Sequence, residues 1–199
     1  MNINPTLSLD YILGWRPTLP GLTDHDTLAF YHAVIPQLSP ACQLVQIGVW
    51  RGRDLLFAAE LLAALGRPDS RITGVDPYRH PPIEGDLESC TVSYRESLAG
   101  LVAHGSEQEL RHVQLLRARS VPARRLFDDQ TLDLVYIDGD HSLDAVACDI
   151  HMWSSAVRQG GVLGGHDYDP AFPGVMESVD RAWPGRVRHY ASVWWVEMS

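Results

Sequence analysis

The residues best suited to chemistry in this chain stand directly behind short apolar runs. Asp76 follows Arg71–Val75, Asp138 follows Leu132–Ile137, and His166 with Asp167 follows Gly161–Gly165. A random surface loop would not be expected to put acids immediately after three hydrophobic runs. The segment Tyr136-Ile-Asp138-Gly-Asp140-His141-Ser142 is the most specific of these. If the runs are neighbouring strands, their ends lie about 5 Å apart, and the side chains could converge on one hard cation. Asp138 and Asp167 would supply oxygen ligands of the kind Mg²⁺ takes, with waters and substrate oxygens completing the shell. His141 beside them is a candidate general base. Asp140 and Ser142 also suit the capping of a following helix, and one of them is expected to do that. His25, His32, His80, His104, His112, His151 and His189 show no ligand spacing and are assigned no role.

A second constellation reads Gln46-Ile-Gly48-Val-Trp50-Arg-Gly52-Arg-Asp54. Gly48 and Gly52 allow a sharp turn, so that backbone N–H groups at a helix start can face a ligand. A loop of this kind is often only a tight turn. Its weight comes from Asp76, a carboxylate placed to accept both ribose hydroxyls of an adenosine. The alternative for Asp76 is an Asx turn before Pro77.

These residues need a scaffold, and the hydrophobic pattern supplies one. Pro5, Gly14, Pro17, Pro20 and Gly21 break up the first twenty residues. Thr23 then reads as an N-cap, with Asp24 and Asp26 in the first turn of a helix that Pro40 stops. From Leu44 the pattern alternates. Strands are expected at Leu44–Gly48, Arg71–Val75, His112–Leu116, Leu132–Ile137 and Gly161–Gly165. Helices are expected from Gly52, at about Glu88–Ala103, at Val121–Phe127, behind Leu143, and at Gly174–Trp183. Strands alternating with helices imply right-handed crossovers and a parallel sheet covered on both faces, an α/β three-layer sandwich. The last runs, Val187–Tyr190 and Val193–Met198, are too close for a crossover and should form a hairpin, making one terminal strand antiparallel. In such sheets ligands sit outside the carboxyl ends of the strands.

Composition limits the partners. A chain of 199 residues fits one domain. A net charge of −9 argues against tracking along nucleic acid, which needs a basic face. All sixteen basic residues are Arg, which removes a Walker-type lysine. No apolar run is long enough to cross a bilayer and no leader pattern opens the chain, so a cytoplasmic location is expected. Cys42, Cys90 and Cys148 are widely spaced, which suits reduced, mostly buried thiols. The adjacent Trp194 and Trp195 on a terminal strand could mark a subunit contact in a homo-oligomer.

The run Ile-Asp138-Gly-Asp-His141-Ser, then Asp149-Ile and Trp153, Gly160-Gly161 and Gly-His166-Asp167-Tyr168, resembles class I S-adenosylmethionine-dependent methyltransferases. More narrowly it resembles the bacterial branch that includes metal-dependent sugar and macrolide O-methyltransferases and cephalosporin-hydroxylase-like proteins. The resemblance runs from about Leu44 to the C-terminus. It implies a Rossmann-like seven-stranded sheet with the last strand antiparallel, behind an N-terminal helical extension over residues 1–43. It further implies S-adenosylmethionine as cofactor, bound by Gln46, Gly48, Trp50, Gly52, Asp54, Asp76, Tyr78, Arg119, Ser120 and Asp138, with Asp76 at the ribose and Arg119 and Ser120 near the adenine. Asp138, His166 and Asp167 would hold a divalent metal, Mg²⁺ favoured, and His141 would be the base.

This chain departs from the family's pattern at Gln46, where an acid is usual, and at Asp54, where Ser or Thr is common. Asp54 could therefore face the methionine ammonium. At His166 an acidic residue is frequent. The expected acceptor is a hydroxyl of a small molecule such as a sugar, natural product or phenol, walled by the loop Pro77–Ser89 and the region of Trp15. A catalytically silent cofactor-binding module is the alternative, and so is a glycosyltransferase using Asp138-Gly-Asp140 as a D-x-D. A nicotinamide dehydrogenase is disfavoured by the closing hairpin.

Overall fold

The computed structural model describes residues 1, 3, 15, 25–78 and 92–199. The capping role of Thr23 and most of the loop Pro77–Ser89, with Arg79, His80 and Cys90, lie outside the described residues. In chain order the elements are α1 (His25–Val34, continued by a 3-10 turn Ile35–Gln37), β1 (Gln43–Ile47), α2 (Arg53–Ala64) and β2 (Arg71–Val75). Then come α3 (Tyr94–His104), α4 (Glu107–Leu110), β3 (Val113–Leu116), α5 (Ser120–Arg124), β4 (Leu132–Ile137) and α6 (Leu143–Ser154). The chain closes with β5 (Val157–Gly165), α7 (Pro173–Ala182), β6 (Arg188–Tyr190) and β7 (Val193–Glu197).

These strands form one seven-stranded sheet in the order β3-β2-β1-β4-β5-β7-β6, parallel except for β7, which runs against both β5 and β6. Beyond the expected elements lies the short helix α4. Its signal is local: Ser106 and Glu109 form a capping box, each side chain bonding the other's backbone N–H. β5 also begins earlier than expected, at Val157, and a register irregularity against β4 absorbs the glycines Gly160 and Gly161.

Alternation along β4 shows how the sheet is covered. Leu134 and Tyr136 enter one buried cluster, with Leu28 and Phe30 of α1 and Leu55 and Leu56 of α2. Val135 and Ile137 enter the other, with Ile150 and Trp153 of α6 and Val175 and Val179 of α7. α1 is bound into the first cluster by polar contacts as well: Thr27 Oγ1 lies 2.8 Å from Tyr136 Oη, and Tyr31 Oη donates to Gln46 Oε1 at 3.0 Å.

Three aromatic residues change role. Trp194 is fully buried against Trp183, and Trp195 is buried against Phe30, so the two fill the core rather than a subunit contact. Trp15 is buried edge-on against Phe57 and donates to Glu60 on α2 at 2.8 Å, which makes it core packing and not a substrate wall. Each ring offers too much apolar surface to leave in water when a sheet face is at hand. Cys42 is buried, whereas Cys148 is exposed. No helix among the described residues is long and apolar enough to cross a membrane.

α5 is too short to be stable alone. Ser120 at its start donates to Asp149 Oδ1 and accepts from Trp153 Nε1 at 2.7 Å, which ties it to α6. Burial pushes the Asp149 carboxyl up to about 6, against the lowering effect of the Ser120 bond. The folded state then holds this proton more tightly than the unfolded chain, so its contribution falls as pH rises from about 4 to about 6. Asp149→Asn keeps the acceptor oxygen and should flatten that fall, by on the order of 1–3 kcal/mol, in urea titrations run between those pH values.

Among the described glycines the tightest is Gly48, with φ +85°, where an added Cβ would lie 1.8 Å from the Asp138 carbonyl oxygen. Gly66, with φ +64°, has open space around it. Gly66→Ala should cost only the ~1–2 kcal/mol of left-handed backbone strain. Gly48→Ala should cost clearly more, read as the difference between the two unfolding midpoints.

Candidate active site

Backbone hydrogen bonds continue the sheet one residue past its strands. Gly48 N–H donates to Val75, Asp76 N–H to Leu116, Asp138 N–H to Ile47, and His166 N–H to Ile137, at 2.8–3.1 Å. Gly48, Asp76, Asp138 and His166 are thereby set along one edge, the carboxyl edge of the parallel strands. Of the five described non-glycine residues with left-handed φ, Trp50, Tyr78 and Asp167 lie just beyond β1, β2 and β5. Such conformations persist where the surroundings over-determine them, and they cluster at functional sites.

The loop between β1 and α2 is shaped by Asp76. Its Oδ2 accepts from the N–H groups of Val49 (2.9 Å) and Trp50 (3.1 Å), and its Oδ1 from Tyr78 N–H (2.6 Å). The carboxylate is fully buried. The Asx-type bond to Tyr78 is thus present, together with a brace across to the glycine loop. Gly52, with φ +80°, is the N-cap of α2. The Tyr78 side chain, expected at the cofactor, instead packs on Tyr94 and donates to Ser97 Oγ at 3.2 Å. Burial pushes its hydroxyl up to about 12, so it stays protonated as a donor.

Under this loop runs a buried polar chain. Gln46 takes the Tyr31 hydroxyl on Oε1 and gives its Nε2 hydrogens to Gly48 O and Asp54 Oδ2, both at 2.9 Å. An amide does here what a carboxylate could not, because it accepts on one side and donates on the other. Asp54 is the acid at this point. Burial and the charge of Asp138 push it up to about 7, against the bond from Gln46. Pro77, Arg117, Ala118 and Arg119 line an open cleft of about 380 Å³ where β2 and β3 end. Arg119 stands there as the N-cap of α5, while the Ser120 hydroxyl is taken up by Asp149 and Trp153.

At the other half of the edge, Asp138, His141 and Asp167 bring one ligand atom each to within 4.8 Å of one another. His141 Nε2 lies 2.8 Å from Asp167 Oδ2, and the His141 ring packs on Phe172. The bond to Asp167 raises the imidazole's pKa against the lowering effect of burial. Burial pushes Asp167 up, but bonds from His141 and His166 outweigh it and hold the carboxyl well below the usual range.

The third member of the converging group is therefore His141, where His166 had been expected. His166 sits beside the group with Nδ1 3.1 Å from Asp167 Oδ1 and Nε2 2.9 Å from Ser192 Oγ. A neutral imidazole has one lone pair, and these two contacts engage both ring nitrogens. Asp140 accepts from Ser142 N–H at 2.9 Å in an Asx-type turn just before α6, whose N-cap Ser142 makes no side-chain capping bond, and Asp140 is not one of the converging three. Ser192 carried no signal in the sequence, because a serine in a hairpin turn looks like any other.

The profile of the family described as "Methyltransferase domain" matches residues 45–168. No curated protein sequence matches the chain. Among solved structures it is similar to apo CalS11, a TDP-rhamnose 3′-O-methyltransferase of calicheamicin biosynthesis, with a TM-score of 0.66, 19% identity, and 97% of this chain and 92% of that one covered. It is also similar to the O-methyltransferase NovP, with a TM-score of 0.68 and 17% identity over 87% of this chain and 78% of that one. A third is an O-methyltransferase from Bacillus cereus in complex with SAH, with a TM-score of 0.60 and 14% identity over 97% and 90%. At these identities the likeness is one of fold. The family match, the strand order and the glycine loop at the carboxyl edge agree: the chain belongs to the methyltransferase-domain family and has the fold of the class I S-adenosylmethionine-dependent methyltransferases.

Proposed function

We propose that this protein transfers the methyl group of S-adenosylmethionine to a hydroxyl of a small molecule, with a divalent cation at Asp138 and Asp167 and His141 as base. The observation that carries the reading is the convergence of Asp138, His141 and Asp167 beside the glycine loop, with Gly48 touching the Asp138 backbone. The cofactor and the acceptor hydroxyl would then meet across a single close contact.

The donor set fits the proposal. Two carboxylates suit Mg²⁺ or Mn²⁺, and an imidazole nearby is compatible with the latter. A bound divalent ion would act as a Lewis acid on the acceptor oxygen and ease the loss of its proton. His141 takes the departing proton, and Asp167 Oδ2, 2.8 Å from its Nε2, stabilises the cation formed.

On the cofactor side, the loop that carries Gly48, Trp50 and Gly52 is the proposed contact. Asp76, which braces that loop at the end of β2, is the proposed ribose contact. The cleft at Arg117–Arg119 suits the adenine. Asp54, oriented by Gln46, is the anion for the methionine ammonium. Trp50 and Arg119, like these, are proposed contacts. The reading also includes a cytoplasmic, natural-product role for the enzyme.

Calorimetry with S-adenosylmethionine should give a Kd in the range of about 1 μM to 1 mM, where cofactor and substrate constants usually lie. A chain that binds a nucleotide sugar in its place would sink the assignment. Asp138→Ala and His141→Ala should each lower methyl transfer to a catechol or sugar acceptor by about 10²-fold or more. His141→Ala should still bind S-adenosylmethionine. His141→Ala should leave Mn²⁺ affinity near that of the wild type; a parallel loss of the metal would make His141 a ligand instead of the base.

A further inference from the structure

Asp167 has a left-handed backbone, with φ +60°, uncommon among non-glycine residues although Asp enters it more readily than most. The chain on either side of it is fastened to one residue, Ser192, in the turn between β6 and β7. Before Asp167, the His166 ring meets the Ser192 hydroxyl, Nε2 to Oγ, at 2.9 Å. After it, Tyr168 N–H donates to the Ser192 carbonyl oxygen at 2.9 Å. The turn itself is defined by left-handed Ala191, φ +48°. It is brought here because β7 runs antiparallel to β5, pairing Gly165 with Trp194, so that β7 begins where β5 ends.

The proton assignment follows from the partners. A carboxylate has no hydrogen to give, so His166 Nδ1 carries one and donates it to Asp167 Oδ1 at 3.1 Å. In the neutral ring the lone pair is then on Nε2, and the Ser192 hydroxyl donates to it. The chain Ser192–His166–Asp167 thereby engages Oδ1, while Oδ2 faces His141 at 2.8 Å, in a residue whose carboxylate converges with Asp138 and His141.

We propose that Ser192 is a positioning residue: acting through His166, it locks the Asp167 carboxylate in the orientation that presents Oδ2 to the divalent cation. The inference rests on the metal reading given above. It gives the C-terminal hairpin a part in the active site, and it gives His166 the task of orienting a ligand. Partners that orient metal ligands in this way typically contribute 10–100-fold to metal affinity or activity.

The test is Mn²⁺ affinity, read from the electron paramagnetic resonance signal of the free ion, in the full-length chain without acceptor. Ser192→Ala should weaken Mn²⁺ binding by about 10–100-fold, while Ser192→Thr, which keeps the hydroxyl, should bind as the wild type does. Calorimetric affinity for S-adenosylmethionine should be the same in all three, which establishes that the variants are folded. On a His166→Phe background, Ser192→Ala should produce no further loss. A wild type that binds Mn²⁺ and a Ser192→Ala variant that binds it as tightly would overturn the role of Ser192 alone. A wild type that takes up no Mn²⁺ would overturn the metal reading and this inference with it.

Discussion

The arrangement of this molecule depends on how closely β1 and β4 approach at their carboxyl ends. Their ladder does not stop with the strands: Asp138 N–H donates to Ile47 O at 2.8 Å, and Gly48 then packs against the Asp138 carbonyl. There is no room for a side chain at position 48. Because β4 is the middle strand and β1 its neighbour, the contact sets the distance between the loop after β1 and the acidic segment after β4. The neighbouring strands extend the same edge outward, β2 with Asp76 on one side and β5 with His166 and Asp167 on the other.

Around that contact the protein buries several polar side chains that have defined partners. Asp76 takes up three backbone N–H groups. Gln46 links Tyr31 on α1 to Asp54 on α2. Buried polar groups are costly unless they are hydrogen-bonded, and a satisfied network holds one arrangement of the chain. The three left-handed residues Trp50, Tyr78 and Asp167 fit this picture, since their strain is local and the bonds that oppose it are not.

The closing hairpin has a double task. Its tryptophans fill both faces of the sheet, Trp195 against Phe30 and Trp194 against Trp183. Its turn reaches the carboxyl edge, which only an antiparallel strand beginning at that edge can bring about. A parallel seventh strand would put its first residue at the opposite edge of the sheet.

Much of this was legible in the sequence. Runs such as Arg71–Val75 and Leu132–Ile137 are short, apolar and bounded by polar residues, so their extents follow from local pattern. That acids stand at the ends of strands follows from chain position alone, as does the antiparallel hairpin, because Ala191 and Ser192 are too few residues for a crossover. What only the tertiary structure decided is the partner of each side chain. Whether Trp15 and Trp194 face solvent or core, whether Tyr78 meets a ligand or Ser97, and which histidine joins Asp138 and Asp167 depend on contacts between residues far apart in the chain. His141 and His166 both stand near an acid in sequence. They differ in their partners: Ser192, 26 positions from His166, supplies the hydroxyl that engages that ring. Local pattern records the period and polarity of a segment; hydrogen-bond partners across a sheet leave no such trace in either strand alone.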